Sequence, residues 1–121
     1  MKVLWIAVAG SVGALARYGV GLLFGPQLFP WATLTINVVG SFLLGTAITV
    51  ATSRHWSPEL TAAVTIGLVG SFTTFSTYTA ETITLGRADR FVPAVGYVAA
   101  SVVLGLLACR AGMALGDRLS A

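Results

Sequence analysis

Gly67-Leu68-Val69-Gly70-Ser71-Phe72-Thr73-Thr74-Phe75-Ser76-Thr77-Tyr78-Thr79 is the stretch on which the fold turns. Between Ser71 and Thr79, six of nine residues carry aliphatic hydroxyls and the other three are aromatic. Phe72, Phe75 and Tyr78 recur every three residues, and Gly67 and Gly70 precede them. Apolar, uncharged sequence surrounds this run, so it lies at mid-bilayer depth, where two glycines and dense Ser/Thr predict a helix that breaks. Non-helical backbone at that depth is tolerated only where it is buried in protein or lines a wet cavity. A broken helix also exposes carbonyls at one half-helix end and N–H groups at the other, which suits ions.

Outward from this stretch, charge is scarce. Only 9% of the 121 residues are charged, against 56% hydrophobic; ordinary soluble domains carry roughly 25% charged residues. Seven basic and four acidic residues cannot cover a globular surface, which excludes a soluble monomer. The net charge of +3 is too small and scattered for a nucleic-acid footprint. One cysteine, Cys109, excludes an intrachain disulfide, and one histidine, His55, excludes a multi-histidine metal site within one copy.

Apolar runs of about 20 residues each span a bilayer, and the chain divides into four. Gly25-Pro26-Gln27-Leu28-Phe29-Pro30 is turn chemistry that cuts the first uncharged stretch in two. Arg54-His55-Trp56-Ser57-Pro58-Glu59 is a polar connection, with Ser57 as N-cap and Pro58 at the first helical position. Gly86-Arg87-Ala88-Asp89-Arg90 forms the last link. The expected architecture is an all-α membrane protein, a single domain over 1–121 with spans at about 3–24, 31–52, 59–85 and 91–115, the third broken. Lys2 and the apolar run after it imitate a secretory signal. The apolar character continues past Arg17, so a retained helix is the expectation.

Lys and Arg near span ends set orientation. One side holds Lys2, Arg54, Arg118 and Arg110, the other Arg87 and Arg90. So weak a bias permits insertion both ways round. Ser41-x-x-x-Gly45, Gly21-x-x-x-Gly25 and Gly112-x-x-x-Gly116 match the small-residue spacing that lets helices approach closely in lipid. Together they favour a tight, oligomeric bundle.

Two readings compete for the hydroxyl run. Either the hydroxyls bond back to their own helix, or they form a polar track lined by aromatic rings. A ring has a negative face and a positive edge, so ring edges beside O–H donors can hold a small anion without a full positive charge. The density of hydroxyls favours the track. Asn37, near the middle of the second span, is either an interhelical clamp or a donor to the same path. Arg17 within the first span is either a functional charge or a side chain that snorkels to the interface. Glu81 either pairs with Arg17 or marks the membrane boundary. Tyr97 and Ser101, four apart, share a helix face.

Gly10-Ser11-Val12-Gly13-Ala14-Leu15-Ala16-Arg17-Tyr18, Thr33-Leu34-Thr35-Ile36-Asn37-Val38-Val39-Gly40-Ser41-Phe42 and the Gly67–Tyr78 run resemble, in order, three motifs of the bacterial fluoride channels, the Fluc or CrcB family. The resemblance implies a passive, fluoride-selective channel in the bacterial plasma membrane that exports fluoride and lowers its cytoplasmic level. It further implies an antiparallel, dual-topology dimer with a second copy or a paralogue, with two pores. On this likeness Gly70 and Thr73 supply backbone carbonyls to a structural sodium ion at the dimer centre. Phe75, Ser76, Thr77 and Tyr78 line the pore, Asn37 is its asparagine, Tyr97 and Ser101 its polar residues on the fourth span, and Arg17 lies at the vestibule. Two positions depart from the family pattern: Ala9 replaces a glycine, and Tyr78 stands where phenylalanine is usual. The runner-up is a small multidrug-type, proton-coupled cation exporter, also a four-span dimer. Such a carrier needs an intramembrane carboxylate, and the first two spans contain no Asp or Glu. A nucleophile with a neighbouring base is absent from the pattern, so no enzyme is expected.

Overall fold

The structure, a computed structural model, describes all 121 residues and contains no strand. Helix α1 runs Lys2–Phe24 and α2 runs Trp31–Ser53. The third membrane-length segment, Pro58–Arg87, is a composite. It begins as α3 (Pro58–Ala62), widens into a π-helix (Ala63–Val69), tightens to α4 (Gly70–Phe72), breaks, and resumes as α5 (Phe75–Arg87). Helix α6 runs Phe91–Ser120. All four segments are long and apolar enough to cross a bilayer.

Local chemistry sets the ends of these elements. The Ser57 side chain accepts from the Leu60 N–H at 3.2 Å, and Pro58 occupies the first turn, as the sequence predicts. The α1–α2 connection turns at Gly25, whose φ of +64° is a conformation that L side chains rarely adopt. Two arginines tie the ends of the bundle. Arg54 donates to the Leu119 carbonyl at 2.6 Å, joining the α2–α3 turn to the C-terminal end of α6. At the opposite end Arg90 donates to the Leu28 carbonyl at 2.9 Å, joining the other two connections.

Helices α2 and α6 make the most extensive pairing in the chain, and α1 lies against the π-helix and α4. The α2–α6 contact is backbone on backbone. A Cβ added at Gly45 would meet the Cys109 carbonyl oxygen at 2.2 Å, and one at Gly112 would meet that of Phe42 at 2.0 Å. Thr46 Oγ1 spans the seam, donating to the carbonyls of Phe42 (3.1 Å) and Gly112 (3.0 Å). Two of the three small-residue pairs, those containing Gly45 and Gly112, therefore serve this internal seam. Gly21, in the third, meets nothing within 4 Å.

Only 18 of 121 residues are buried, and long apolar side chains are exposed along each of the four membrane-length segments. An isolated chain cannot satisfy so much apolar surface; lipid or another protein must cover it. The small core lies at the Arg90 end of the bundle, where Leu34, Leu85, Ala94 and Tyr97 gather with Phe29, Val38 and Tyr78 packed against them.

The π-helix is not foreshadowed by the hydrophobic pattern. It carries three consecutive β-branched residues, Val64, Thr65 and Ile66, followed by Gly67. Such side chains crowd the turn of a regular α-helix, and π-turns occur in helices mostly as short local insertions.

Candidate functional site

The break predicted within the Gly67–Thr79 run falls at Thr73 and Thr74. Thr73 is extended (φ −79°, ψ 159°), as is Thr74 (φ −150°, ψ 111°). An extended residue presents its own N–H and C=O to the same side, and a single carboxamide can close on both. Asn37 does so: Thr74 N–H donates to Asn37 Oδ1 at 2.9 Å, and Asn37 Nδ2 donates to the Thr74 carbonyl at 3.1 Å. Thr74 is buried, so without Asn37 both backbone groups would lack partners away from water. Thr74 in turn caps α5, its Oγ1 accepting from the Thr77 N–H at 3.2 Å.

Asn37 is thus a clamp, but one of its two amide hydrogens remains available. Asn37 lines a cavity of about 340 Å³ walled by α2, α5 and α6, whose other polar lining residues are Ser41, Thr73, Thr74, Tyr78 and Ser101. Phe75, Gly40, Leu44 and Val102 complete the wall. Lys, Arg, Asp and Glu are all absent from it.

A second cavity, of about 360 Å³, opens at the Arg90 end beneath the α1–α2 connection. Gln27, Thr33, Thr77, Glu81 and Thr84 supply its polar lining, and Phe29 and Leu28 also line it. Glu81 does not reach for Arg17. One carboxylate oxygen accepts from Thr33 Oγ1 at 2.8 Å and the other from the Tyr97 hydroxyl at 2.7 Å. Thr33, Asn37 and Ser41 follow at intervals of four on α2, so the two cavities share one helix face. Between them stand Tyr78 and Tyr97, rings edge-on with centroids 5.1 Å apart.

The expected site residues separate into groups. Asn37, Phe75, Tyr78 and Ser101 come together at the inner cavity, and Thr77 lines the outer one. Ser76 is exposed on α5 and lines neither. Tyr97 is fully buried behind Tyr78, held by Glu81 on one side and by the Phe29 ring, 5.5 Å away, on another. Arg17 is half-buried on α1 and lines neither cavity. Gly70 opens α4 and is exposed, and Thr73 follows its last residue at the break.

The hydroxyl run proves divided rather than uniform. Thr73 donates to the Val69 carbonyl and Thr79 to that of Ser76, so these two bond back to their own helix. Three positions escape sequence reasoning as site residues: Ser41, which belongs to the inner cavity, and Thr33 and Glu81, which meet in the outer one. The i, i+4, i+8 spacing from Thr33 through Asn37 to Ser41 was the available signal.

Comparison with known proteins places these motifs. Residues 4–113 match the family model described as CrcB-like protein, Camphor Resistance (CrcB). A protein of Acidobacterium capsulatum called fluoride-specific ion channel FluC is 42% identical over 125 residues, covering 100% of both chains. One from Geobacillus kaustophilus, fluoride-specific ion channel FluC 2, is 48% identical, covering 94% of this chain and 92% of its own. A third, from Ignicoccus hospitalis and called fluoride-specific ion channel FluC, is 41% identical over 98% of both.

Proposed function

The chain belongs to the CrcB family, and from that membership we propose that it is a multi-pass channel of the cell membrane that passes fluoride selectively and passively. The observation that carries this reading is the inner cavity: a polar recess at a helix break, rich in neutral donors and free of formal charge. A bare fluoride ion entering lipid must replace its water shell. The spare Asn37 N–H, the hydroxyls of Ser41, Tyr78 and Ser101, and the ring edges of Phe75 and Tyr78 offer weak neutral contacts in its place. An ammonium or guanidinium in the same place would bind more tightly and release more slowly, and conduction requires release as much as entry. Export follows the gradient: hydrogen fluoride enters cells as the neutral acid, dissociates, and leaves fluoride accumulated inside.

Reconstituted into liposomes loaded with potassium fluoride or potassium chloride, the protein should empty the first rapidly and retain the second. Equal release of both, or of neither, overturns the proposal. No observation favours the proton-coupled cation exporter, since Glu81 is already engaged by Thr33 and Tyr97.

The functional unit in this reading is an antiparallel dimer, with a second copy or a paralogue inserted the opposite way. Its supports are the weak Lys/Arg asymmetry and the apolar exterior, together with Phe75, which is 77% exposed beside the break. The residues also suit a structural sodium ion. In a continuous helix the Gly70 carbonyl would accept from the Thr74 N–H, and the Thr73 carbonyl from the Thr77 N–H. Here those donors go to Asn37 Oδ1 and Thr74 Oγ1 instead. Two carbonyls are thereby left without their helical partners, and neutral oxygens are the ligands that a hard cation takes. Two antiparallel copies would bring two such pairs together. Bound sodium would tie the broken segments to each other.

A further inference from the structure

A third hollow, of about 610 Å³, lies between α5 and α6 and shares no lining residue with the two cavities described above. Its size falls in the range of about 300–1,000 Å³ typical of ligand sites. Gly86, Ala94 and Ala99 are the small residues that leave the space, and Ile83, Phe91 and Val95, each more than half exposed, stand along it. A Cβ on Gly86 would meet nothing within 4 Å. Thr82 is the one hydroxyl in the lining, and it donates to the Tyr78 carbonyl at 2.8 Å. The hollow is therefore an apolar groove, open along the outside of the bundle.

One end of the groove is charged. Arg87, the last residue of α5, and Phe91, the first of α6, line it at the α5–α6 connection, and Ala99 lines it farthest along α6. Phe91 to Ala99 is a rise of about 12 Å along a helix. Half of a hydrocarbon core about 30 Å thick is about 15 Å, so the groove runs from the membrane boundary through most of one leaflet. Arg87 is exposed at its mouth. Arg90, from the same connection, is tied to the Leu28 carbonyl, and Asp89 is not part of the lining. Arg87 is thus the one formal charge in the groove, and a single phospholipid supplies both a chain of leaflet length and a phosphate.

We propose that the α5–α6 groove binds an anionic phospholipid, one acyl chain lying between the two helices and the headgroup phosphate held by Arg87. The guanidinium fork suits phosphate, which it can engage through two parallel N–H bonds. Zwitterionic headgroups carry a cation of their own, and the groove offers that cation no acid, so a headgroup with net negative charge is preferred. The opposite side of α5 carries Tyr78 to the inner cavity and Glu81 to the outer one. A lipid seated along the groove therefore braces the half-helix that walls both.

The test titrates the full-length protein in detergent with phosphatidylglycerol or with phosphatidylcholine of the same chains, and counts bound lipid by native mass spectrometry. One basic residue beside an anionic headgroup is worth about a five-fold preference, so the wild type should hold phosphatidylglycerol at about five-fold lower concentration than phosphatidylcholine. Arg87→Gln should erase that preference. Gly86→Leu, whose side chain grows into open space, should weaken both lipids. Arg110→Gln, towards the other end of α6, should change neither. Equal retention of the two lipids by the wild type, or a preference that survives Arg87→Gln, overturns the site. Equal losses in Arg87→Gln and Arg110→Gln would reduce it to a general attraction of basic residues, with the same consequence. If Gly86→Leu instead lowers the oligomeric state on size-exclusion chromatography and leaves lipid retention unchanged, the groove is a surface between copies and the lipid site is overturned. The readout is bound lipid rather than flux, so the result does not depend on the channel reading.

Discussion

Asn37→Ala is the most informative single perturbation of this chain. The substitution removes the hydrogen bonds at 2.9 and 3.1 Å that hold Thr74 in its extended conformation. Each neutral bond is worth about 0.5–1.5 kcal/mol net, and a buried backbone group left unpaired costs about 1–3 kcal/mol. Bonds of this kind between membrane helices average only about 0.6 kcal/mol, because the unfolded reference state in lipid also finds partners. With both Thr74 groups stranded, the expected loss is about 2–4 kcal/mol, towards the lower end if water enters the cavity. Two readouts should move together. The denaturation midpoint in detergent should fall, and fluoride efflux should drop sharply, since the clamp and the cavity donor are one side chain. Asn37→Asp separates the roles: its carboxylate still accepts from the Thr74 N–H, but it cannot donate to the Thr74 carbonyl and it adds negative charge to the path. That variant should lose flux out of proportion to its loss of stability. If Asn37→Ala retains both the wild-type midpoint and the wild-type efflux, the account of the helix break is wrong.

Three further outcomes follow from the packing and the site. Gly112→Ala places a Cβ 2.0 Å from the Phe42 carbonyl oxygen, a clash with rigid backbone; overpacking of this kind costs about 1–3 kcal/mol or more, read as a lowered melting temperature. Gly19→Ala, at a position with nothing within 4 Å, should leave it unchanged. Thr33→Val and Tyr97→Phe each remove one donor to Glu81; hydrogen bonds to charged groups contribute about 1.5–3 kcal/mol, so each variant should denature earlier, and full wild-type stability in either would show that Glu81 is not held this way. Replacing sodium throughout by N-methyl-D-glucamine should lower both activity and dimer recovery on size-exclusion chromatography, and retention of both would remove the cation from the assembly.

How much of this was legible in the sequence depends on the kind of information involved. Four membrane segments follow from charge scarcity and turn residues, because the bilayer penalises a charge or an unpaired peptide group wherever it sits. The broken third helix follows from Gly70 and the hydroxyl run. The partner of each polar group did not follow. Glu81 was open to Arg17 on grounds of charge, yet it binds Thr33 and Tyr97, and that choice is made by helix rotation and register. Asn37 offered a clamp or a path donor; tertiary contact makes it a clamp with one hydrogen to spare. Thr73 and Thr79 look identical in sequence to their neighbours, but each finds a carbonyl on its own helix. The π-helix escaped because runs of β-branched residues such as Val64-Thr65-Ile66 also occur in ordinary membrane helices, so crowding alone does not mark where a turn widens.

The position of the break relative to the donors bears on selectivity. An unbroken helix would satisfy its own backbone and leave Asn37 with both amide hydrogens and its oxygen to place elsewhere. With the break, Thr74 takes the carboxamide oxygen and one N–H, so what remains toward the cavity is donor only. The Thr74 carbonyl, which would otherwise repel an anion, is covered by the same contact. In the outer cavity, Tyr97 and Thr33 donate to the two oxygens of Glu81. At Thr74 and at Glu81, then, a neighbouring donor already occupies the acceptor, and in the proposed channel neither would face the ion bare. Glu81→Ala sharpens this into a test, because it frees the Tyr97 hydroxyl and removes the carboxylate. If covered acceptors are what make the path hospitable to an anion, that variant should conduct at least as well as the wild type while folding less stably. A collapse of fluoride efflux with stability intact would instead show that Glu81 takes part in permeation directly.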